Sequence, residues 1–277
     1  MCELFALSAS LPVTAVFSLE RFSRHGGLEG PHKDGWGVAH YEDGDVRLLK
    51  EPDCAAQSPW LRFIEAHPLR GDTLLAHIRK ATRGGRTLAN TQPFARELGG
   101  HMHVFAHNGD LPGIESANGF RLGRFRPVGV TDSEWAFCAL LERLSEPWLD
   151  AAAPPPLDQR LAAVEAFAAD LRKLGPANFL YCDGDVLFAH GHRRRQGPAG
   201  VLAPPGLVVL QRHCRPETAI PPVISGLDLG EQDQEVTLLA SVPLTDEPWR
   251  PLGEGDIIVA RAGRIIVDCQ DAMTGAR

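Results

Sequence analysis

The chain has 277 residues, with 28 Lys and Arg against 35 Asp and Glu and a formal net charge of −7 at pH 7. A hydrophobic content of 44% is enough for a sizeable core and excludes wholesale disorder, while an acidic balance with no long basic run excludes a dedicated nucleic-acid binder. No apolar run reaches the roughly 20 residues of a membrane-spanning helix. The cysteines at 2, 54, 138, 182, 214 and 269 form no C-x-x-C pair and are too sparse for a disulfide framework, so a reducing, cytoplasmic setting is expected.

Residues 4–19 are apolar enough to imitate the core of a secretory signal, but Glu3 stands where positive charge belongs, the first arginine is Arg21, and Pro12 interrupts the run. A buried strand Cys2–Ala9 followed by a turn at Leu11-Pro12 is expected instead. Further strands are read at Gly35–Tyr41, Val46–Leu49, Thr73–Ile78 and His101–His107, with hairpin chemistry at Asp43-Gly44. Two helices follow. Ser133–Leu144 aligns Phe137, Leu140, Leu141 and Leu144 on one face and opens on Thr131-x-x-Glu134, a capping box. Leu157–Leu174 repeats Leu157, Leu161, Val164, Phe167, Leu171 and Leu174 at helical spacing. The Pro/Ala-rich connection near 147–158 is read as internal to one domain spanning 1–277. The strands after it are Ala177–Cys182, Asp185–His190, Leu207–Gln211, Glu235–Ser241 and Asp256–Asp268 with a turn at Ala262-Gly263. They are too few and too short for an independent core. Strands, then helices, then strands predict an α+β protein whose antiparallel sheets are covered by helices.

Cys2 carries the most chemical information. Removal of Met1 would leave a residue owning both a nucleophile, of reference pKa about 8.5, and an amine titrating near 7.7–8.0 that can accept the thiol proton. The alternative is a buried free cysteine on a strand. Arg79, in His77-Ile78-Arg79-Lys80-Ala81-Thr82-Arg83-Gly84-Gly85-Arg86, lies where a strand opens into a basic loop and could clamp a carboxylate through paired N–H···O bonds; a solvated basic loop is the competing reading. Asn108-Gly109 is a hairpin turn or an oxyanion hole made of a side-chain amide and a backbone N–H. Asp132 is either a helix-start carboxylate or a counter-charge for a substrate ammonium.

Other chemistries find less support. His101, His103 and His107 share one strand without further ligands at zinc spacing. The glycines of the segment His25-Gly26-Gly27-Leu28-Glu29-Gly30 lack the Lys and Ser/Thr of a phosphate loop, and no serine sits in a G-x-S-x-G elbow. Neither a cofactor nor a metal is therefore expected.

Taken in order, Cys2, Asp34-Gly35-Trp36-Gly37, His77-Ile78-Arg79-Lys80-Ala81-Thr82, Asn90-Thr91-Gln92-Pro93-Phe94, His107-Asn108-Gly109 and Thr131-Asp132-Ser133-Glu134 resemble the class-II glutamine amidotransferases of the N-terminal nucleophile (Ntn) hydrolase superfamily, and within them the small stand-alone branch called YafJ-like. The resemblance is densest from Met1 to Leu144 and returns at Ala240–Thr245 and Trp249. It implies a four-layer αββα sandwich. It also implies that Cys2 is the nucleophile with its own amine as base, that Arg79 holds the glutamine α-carboxylate with Thr82 nearby, that Asp132 receives the α-ammonium, and that Asn108 and Gly109 form the oxyanion hole. The reaction implied is hydrolysis of the glutamine side-chain amide to glutamate and ammonia. Two positions depart from the pattern: Gln92 and Arg83 stand where many relatives place histidine, which bears on substrate identity. A small-molecule substrate, glutamine or another γ-glutamyl amide, is therefore expected, with neither nucleic acid nor membrane as partner. Ammonia transfer would require a protein partner that carries the acceptor. The competing functions are a γ-glutamyl amide hydrolase, a non-catalytic glutamine-binding module, and an unrelated Ntn amidase, against which the Arg79/Asp132 pair speaks.

Overall fold

Side-chain alternation along the strands decides the layering. The computed structural model describes residues 1–15, 32–67, 70–149, 153–196, 200–214, 227–228 and 233–270; the glycine segment His25–Gly30 lies outside them. On β1 (Glu3–Ala15), Leu4 and Ala6 pack with Leu75, Val104, Ala106, Leu180 and Ile258, whereas Phe5, Leu7 and Ala9 pack with Leu61, Ile64 and Val236. Both faces of the strand are covered, so it reads as a continuous apolar run rather than an alternating one.

The first sheet has eight strands in the order β14 (Arg250–Pro251), β11 (Val208–Cys214), β13 (Gln234–Ala240), β1, β4 (Arg70–Ile78), β2 (Trp36–Glu42), β3 (Asp45–Glu51), with β12 (Leu227–Asp228) paired to the far end of β1. The second has six, in the order β16 (Arg264–Cys269), β15 (Ile257–Arg261), β8 (Leu187–His190), β7 (Ala177–Cys182), β6 (His101–Gly109), β5 (Phe94–Leu98). A small hairpin, β9 (Arg194–Gln196) and β10 (Val201–Ala203), stands apart. Helix α1 (Pro59–Ala66) buries Leu61 and Ile64 on the outer face of the first sheet. On the outer face of the second, α2 (Asp132–Leu149) and α3 (Leu157–Arg172) bury Phe137, Leu141, Val164 and Phe167 against Phe105, Phe179 and Phe188. The result is an αββα sandwich of two antiparallel sheets, as the sequence implied. Strands from both sides of the helices enter both sheets: β7, β8, β15 and β16 complete the second, and β11, β13 and β14 the first.

Several local readings are corrected. No turn forms at Leu11-Pro12; β1 runs through it, and a register shift against β4 between Ser8 and Val13 accommodates a residue with no N–H to donate. Helix α2 continues through Pro147 to Leu149, because Trp148 is fully buried and packs edge-on against His101 and His103. That packing is also what these two histidines do. The capping box is half made: Glu134 N–H donates to Thr131 Oγ1 at 3.2 Å, but the Glu134 carboxylate turns to Val128 N, Gly129 N and Arg96. No helix among the described residues is long and apolar enough to cross a membrane.

Buried histidines set a pH limit on this fold. Burial pushes His77, His103 and His190 each down to about 3, whereas an unfolded histidine titrates near 6.5. Between those values the unfolded chain takes up protons that the folded chain refuses. Stability is therefore fully present above about pH 6.5 and falls as pH drops below it, by up to ~4 kcal/mol per pH unit for the three together. Thermal melts are expected to show Tm dropping steeply from about pH 6.5 to 5; a flat Tm over that range would contradict the neutral assignment.

Candidate active site

The same alternation that buries Leu4, Leu75 and Ala106 between the sheets carries Cys2, Arg79 and Asn108 to one end of that layer. Across β1 and β4, Glu3 faces Ile78 and Leu4 faces His77, which sets Cys2 beside the end of β4. In the other sheet Asn108 on β6 faces Asn178 on β7. The two sheets meet where Asn108 Nδ2 donates to the Cys2 carbonyl at 2.6 Å. Asn108 and Gly109 thus lie in strand β6 and not in the hairpin turn that the dipeptide alone allows.

The Cys2 thiol is held by one backbone unit. Lys80 N–H donates to Sγ at 3.3 Å and the thiol reaches Lys80 O at 3.5 Å. Burial pushes the thiol pKa up, while the Lys80 N–H and the positive charges of the N-terminus and Arg79 pull it down. Met1 precedes Cys2. His32 Nε2 donates to its carbonyl at 2.6 Å, and Arg195 N–H donates to its sulfur at 3.0 Å. Burial also lowers the Met1 ammonium from its ordinary 8.0.

Behind Asn108 stands a buried polar network that sequence reasoning missed. Asn178 Nδ2 donates to Asn108 O at 3.0 Å and to Arg193 O at 2.8 Å, while its Oδ1 accepts His192 N–H at 2.8 Å. A Cβ at residue 206 would lie 1.5 Å from that Oδ1, so Gly206 is what admits it. Gly109 is likewise required, because a Cβ there would meet Pro176 O at 1.7 Å. His107 Nε2 donates to the same carbonyl at 3.3 Å and its Nδ1 accepts from Ser133 Oγ at 2.9 Å. A lone asparagine in the apolar run Ala177–Cys182 was the available signal.

The residues expected at the substrate head group, Asp132, Arg79 and Thr82, take different positions. Asp132, at the start of α2, accepts Leu111 N–H at 2.7 Å and Ser133 N–H at 2.9 Å, and its charge bears on both the Cys2 thiol and His107. Arg79 is buried and gives its guanidinium hydrogens to the carbonyls of Asp34, Arg83, Gly84 and Gly85 at 2.7–3.4 Å. Asp34 secures the same loop by accepting from Ala81 N at 2.8 Å and Arg86 Nε at 2.7 Å. Thr82 is exposed on this loop.

A model of the class-II glutamine amidotransferases matches residues 1–276. The chain belongs to that family. It is 35% identical over 269 residues to the candidate glutamine amidotransferase YafJ of Escherichia coli (strain K12), covering 92% of this chain and 96% of that one. The crystal structure of a predicted glutamine amidotransferase from Pseudomonas aeruginosa PA01 superimposes with a TM-score of 0.66 at 32% identity, over 96% of this chain and 100% of the other. At 14% identity and a TM-score of 0.57, the glutamine phosphoribosylpyrophosphate amidotransferase of B. subtilis shares the fold; 97% of this chain covers 49% of that one.

Within this amidotransferase fold the two departures have different places. Arg83 is exposed and pairs with Glu115 at 3.0 Å. Gln92 is buried, and extending the Phe94–Phe105 register by two residues sets it opposite His107. Its carboxamide makes both ladder bonds there, accepting His107 N–H at 2.6 Å and donating to His107 O at 3.2 Å. Gln92 is thus occupied in holding the strand that carries Asn108. Gln92→Leu would strand two buried backbone groups, and a loss of about 2–4 kcal/mol is expected, read as a lower denaturant midpoint at unchanged m-value.

Proposed function

We propose that the protein, with Met1 removed and Cys2 as its N-terminus, hydrolyses the side-chain amide of L-glutamine to glutamate and ammonia through a Cys2 thioester. The observation that carries this reading is the 2.6 Å contact of Asn108 Nδ2 with the Cys2 carbonyl, because it sets a carboxamide donor against the residue that carries the thiol.

In this reaction Cys2 Sγ attacks Cδ of glutamine, its proton passing to the Cys2 amine. The Asn108 carboxamide and the Gly109 N–H stabilise the tetrahedral oxyanion. As the Cδ–N bond breaks, the Cys2 ammonium gives its proton to the departing nitrogen. Water then cleaves the thioester, with the amine as base once more. Asp132 answers the α-ammonium and Arg79 the α-carboxylate. Since the Arg79 guanidinium now holds Arg83, Gly84 and Gly85, binding a carboxylate bidentately exchanges some of those bonds, which couples substrate binding to the Arg83–Arg86 loop. Ammonia delivery to an acceptor on a partner protein, in a cytoplasmic setting, belongs to the same proposal.

While Met1 is attached, the Cys2 nitrogen is a peptide N–H with no basic lone pair. Cys2→Ala, or a chain whose Met1 is shown by intact mass to persist, is expected to lose glutaminase turnover by about 10³-fold or more with Tm unchanged; full activity in the Met1-bearing chain would defeat the reading. The pH profile gives a second test. Burial and the charges of Lys80, Arg194 and Arg195 lower the Met1 ammonium below 8.0, and the Cys2 amine freed by processing is expected to shift in the same direction. Because the neutral amine is the base, kcat/KM should fall as pH drops through that pKa, with an acid limb below 8.0. An acid limb above that value would show the base to be another group.

A further inference from the structure

A backbone oxyanion donor is only as well aimed as the peptide that carries it. In the proposed glutaminase reaction, on which this inference rests, one donor is the Gly109 N–H. That N–H shares a planar peptide unit with the Asn108 carbonyl, and the two point in opposite directions. Whatever fixes the carbonyl therefore fixes the N–H.

Alternation along β6 says which way each group points. The His107 N–H and carbonyl face the β5 side, where Gln92 takes both. The next residue of an antiparallel strand turns its pair to the other side, and there the Asn108 carbonyl meets Asn178 Nδ2 at 3.0 Å. The Gly109 N–H is turned back toward the β5 side, where the edge strand starts only at Phe94. Continuing the register would set Asn90 opposite Gly109. Asn90 instead lies in the helical turn Leu88–Asn90 and gives its side chain to Gly85 O and Val130 N.

Sterics alone do not hold this peptide. Pro176 O forces glycine at 109, since a Cβ would lie 1.7 Å from it, and glycine accepts both orientations of the preceding peptide. Asn178 supplies the missing constraint. Its side chain is fully buried and bonds only to backbone: Nδ2 donates to the Asn108 and Arg193 carbonyls, and Oδ1 accepts His192 N–H. Gly206, of the other sheet's side, closes the space, a Cβ there lying 1.5 Å from Oδ1.

We infer that Asn178 is a positioning residue of the oxyanion hole: by holding the Asn108 carbonyl it aims the Gly109 N–H, and Gly206 keeps its carboxamide in place. It acts through that peptide and touches neither thiol nor substrate. A flipped peptide would turn a carbonyl oxygen to where the N–H stood, replacing attraction by repulsion. The cost falls on the transition state, because the amide oxygen of bound glutamine carries less charge than the oxyanion.

The test uses enzyme whose N-terminal Cys2 is verified by intact mass, with kcat counted per folded molecule from the amplitude of the unfolding transition. Two variants disturb the carboxamide independently. Asn178→Leu removes its bonds, and Gly206→Ala pushes a methyl into Oδ1 while leaving Asn108 and Cys2 unchanged. Each is expected to lower kcat for glutamine about 10²-fold, the scale of one lost oxyanion donor. KM and the Kd of the product glutamate should stay within about threefold. A residue that merely supports the fold would lower Tm and leave kcat per folded molecule unchanged. That result would overturn the inference, as would a rise in KM at unchanged kcat. If neither variant folds, amide-nitrogen relaxation dispersion on the wild-type chain decides: a Gly109 amide free of millisecond exchange supports the lock, and exchange there overturns it. Wild-type enzyme that turns over no glutamine would overturn the glutaminase reading and this inference with it.

Discussion

One hydrogen bond joins the two sheets at the end that matters. Asn108 comes from the six-stranded sheet and Cys2 precedes the first strand of the eight-stranded one, and the 2.6 Å bond from the Asn108 carboxamide to the Cys2 carbonyl is possible because the Asn108 side chain lies on the inner face at the level of Cys2. Strand alternation settles the face, and antiparallel register settles the level. Leu4 and Ala6 behind Cys2, and Val104 and Ala106 behind Asn108, belong to one apolar layer. The layer therefore acts as the ruler that spaces the polar end, and a packing change several residues away is felt in the separation of the two groups.

Holding polar groups in such a place demands partners for each of them. Asn178 ties the Asn108 carbonyl to the Arg193 carbonyl and the His192 N–H; Gln92 ties both backbone groups of His107; His107 in turn engages Ser133 and Pro176. One exception lies on Asn108 itself. Among the described residues Asn108 Oδ1 is buried without a hydrogen-bond partner, a costly state that ordinary packing avoids. The carboxamide is nonetheless fixed by its other end, so its donor stays aimed at the thiol's surroundings.

Much of this was legible in the chain because strong local signals and global packing agree. The apolar runs around Leu75, Val104 and Leu180 could only be covered strands, and the ordered set Cys2, Arg79, Asn108, Asp132 needed no structure to be singled out. Where the two disagree, packing prevails. Pro12 and Pro147 read as breaks, yet a register shift absorbs one and the burial of Trp148 carries the helix past the other. Strand β5 was invisible because Phe94–Leu98 is a mixed edge strand with its charged middle half open to solvent. Helix α1 was hidden by Trp60 and Phe63, apolar but exposed, which blur the stripe formed by Leu61 and Ile64. Asn178 and Gln92 act through backbone groups distant in sequence, and no spacing rule connects a side chain to a carbonyl on another strand.

The same burial acts twice on the proposed chemistry. Removing water from the sheet end pushes the Cys2 thiol up and the neighbouring terminal ammonium down, so both groups are driven toward their uncharged forms. A thiolate–ammonium pair between Cys2 and the Met1 terminus is thereby disfavoured. The Lys80 N–H and the Arg79 charge act in the opposite sense on sulfur alone. They favour negative charge on Sγ without restoring a proton to nitrogen. That asymmetry suits a nucleophile that loses its proton as it attacks, because the stabilisation of sulfur is felt only as its negative charge develops.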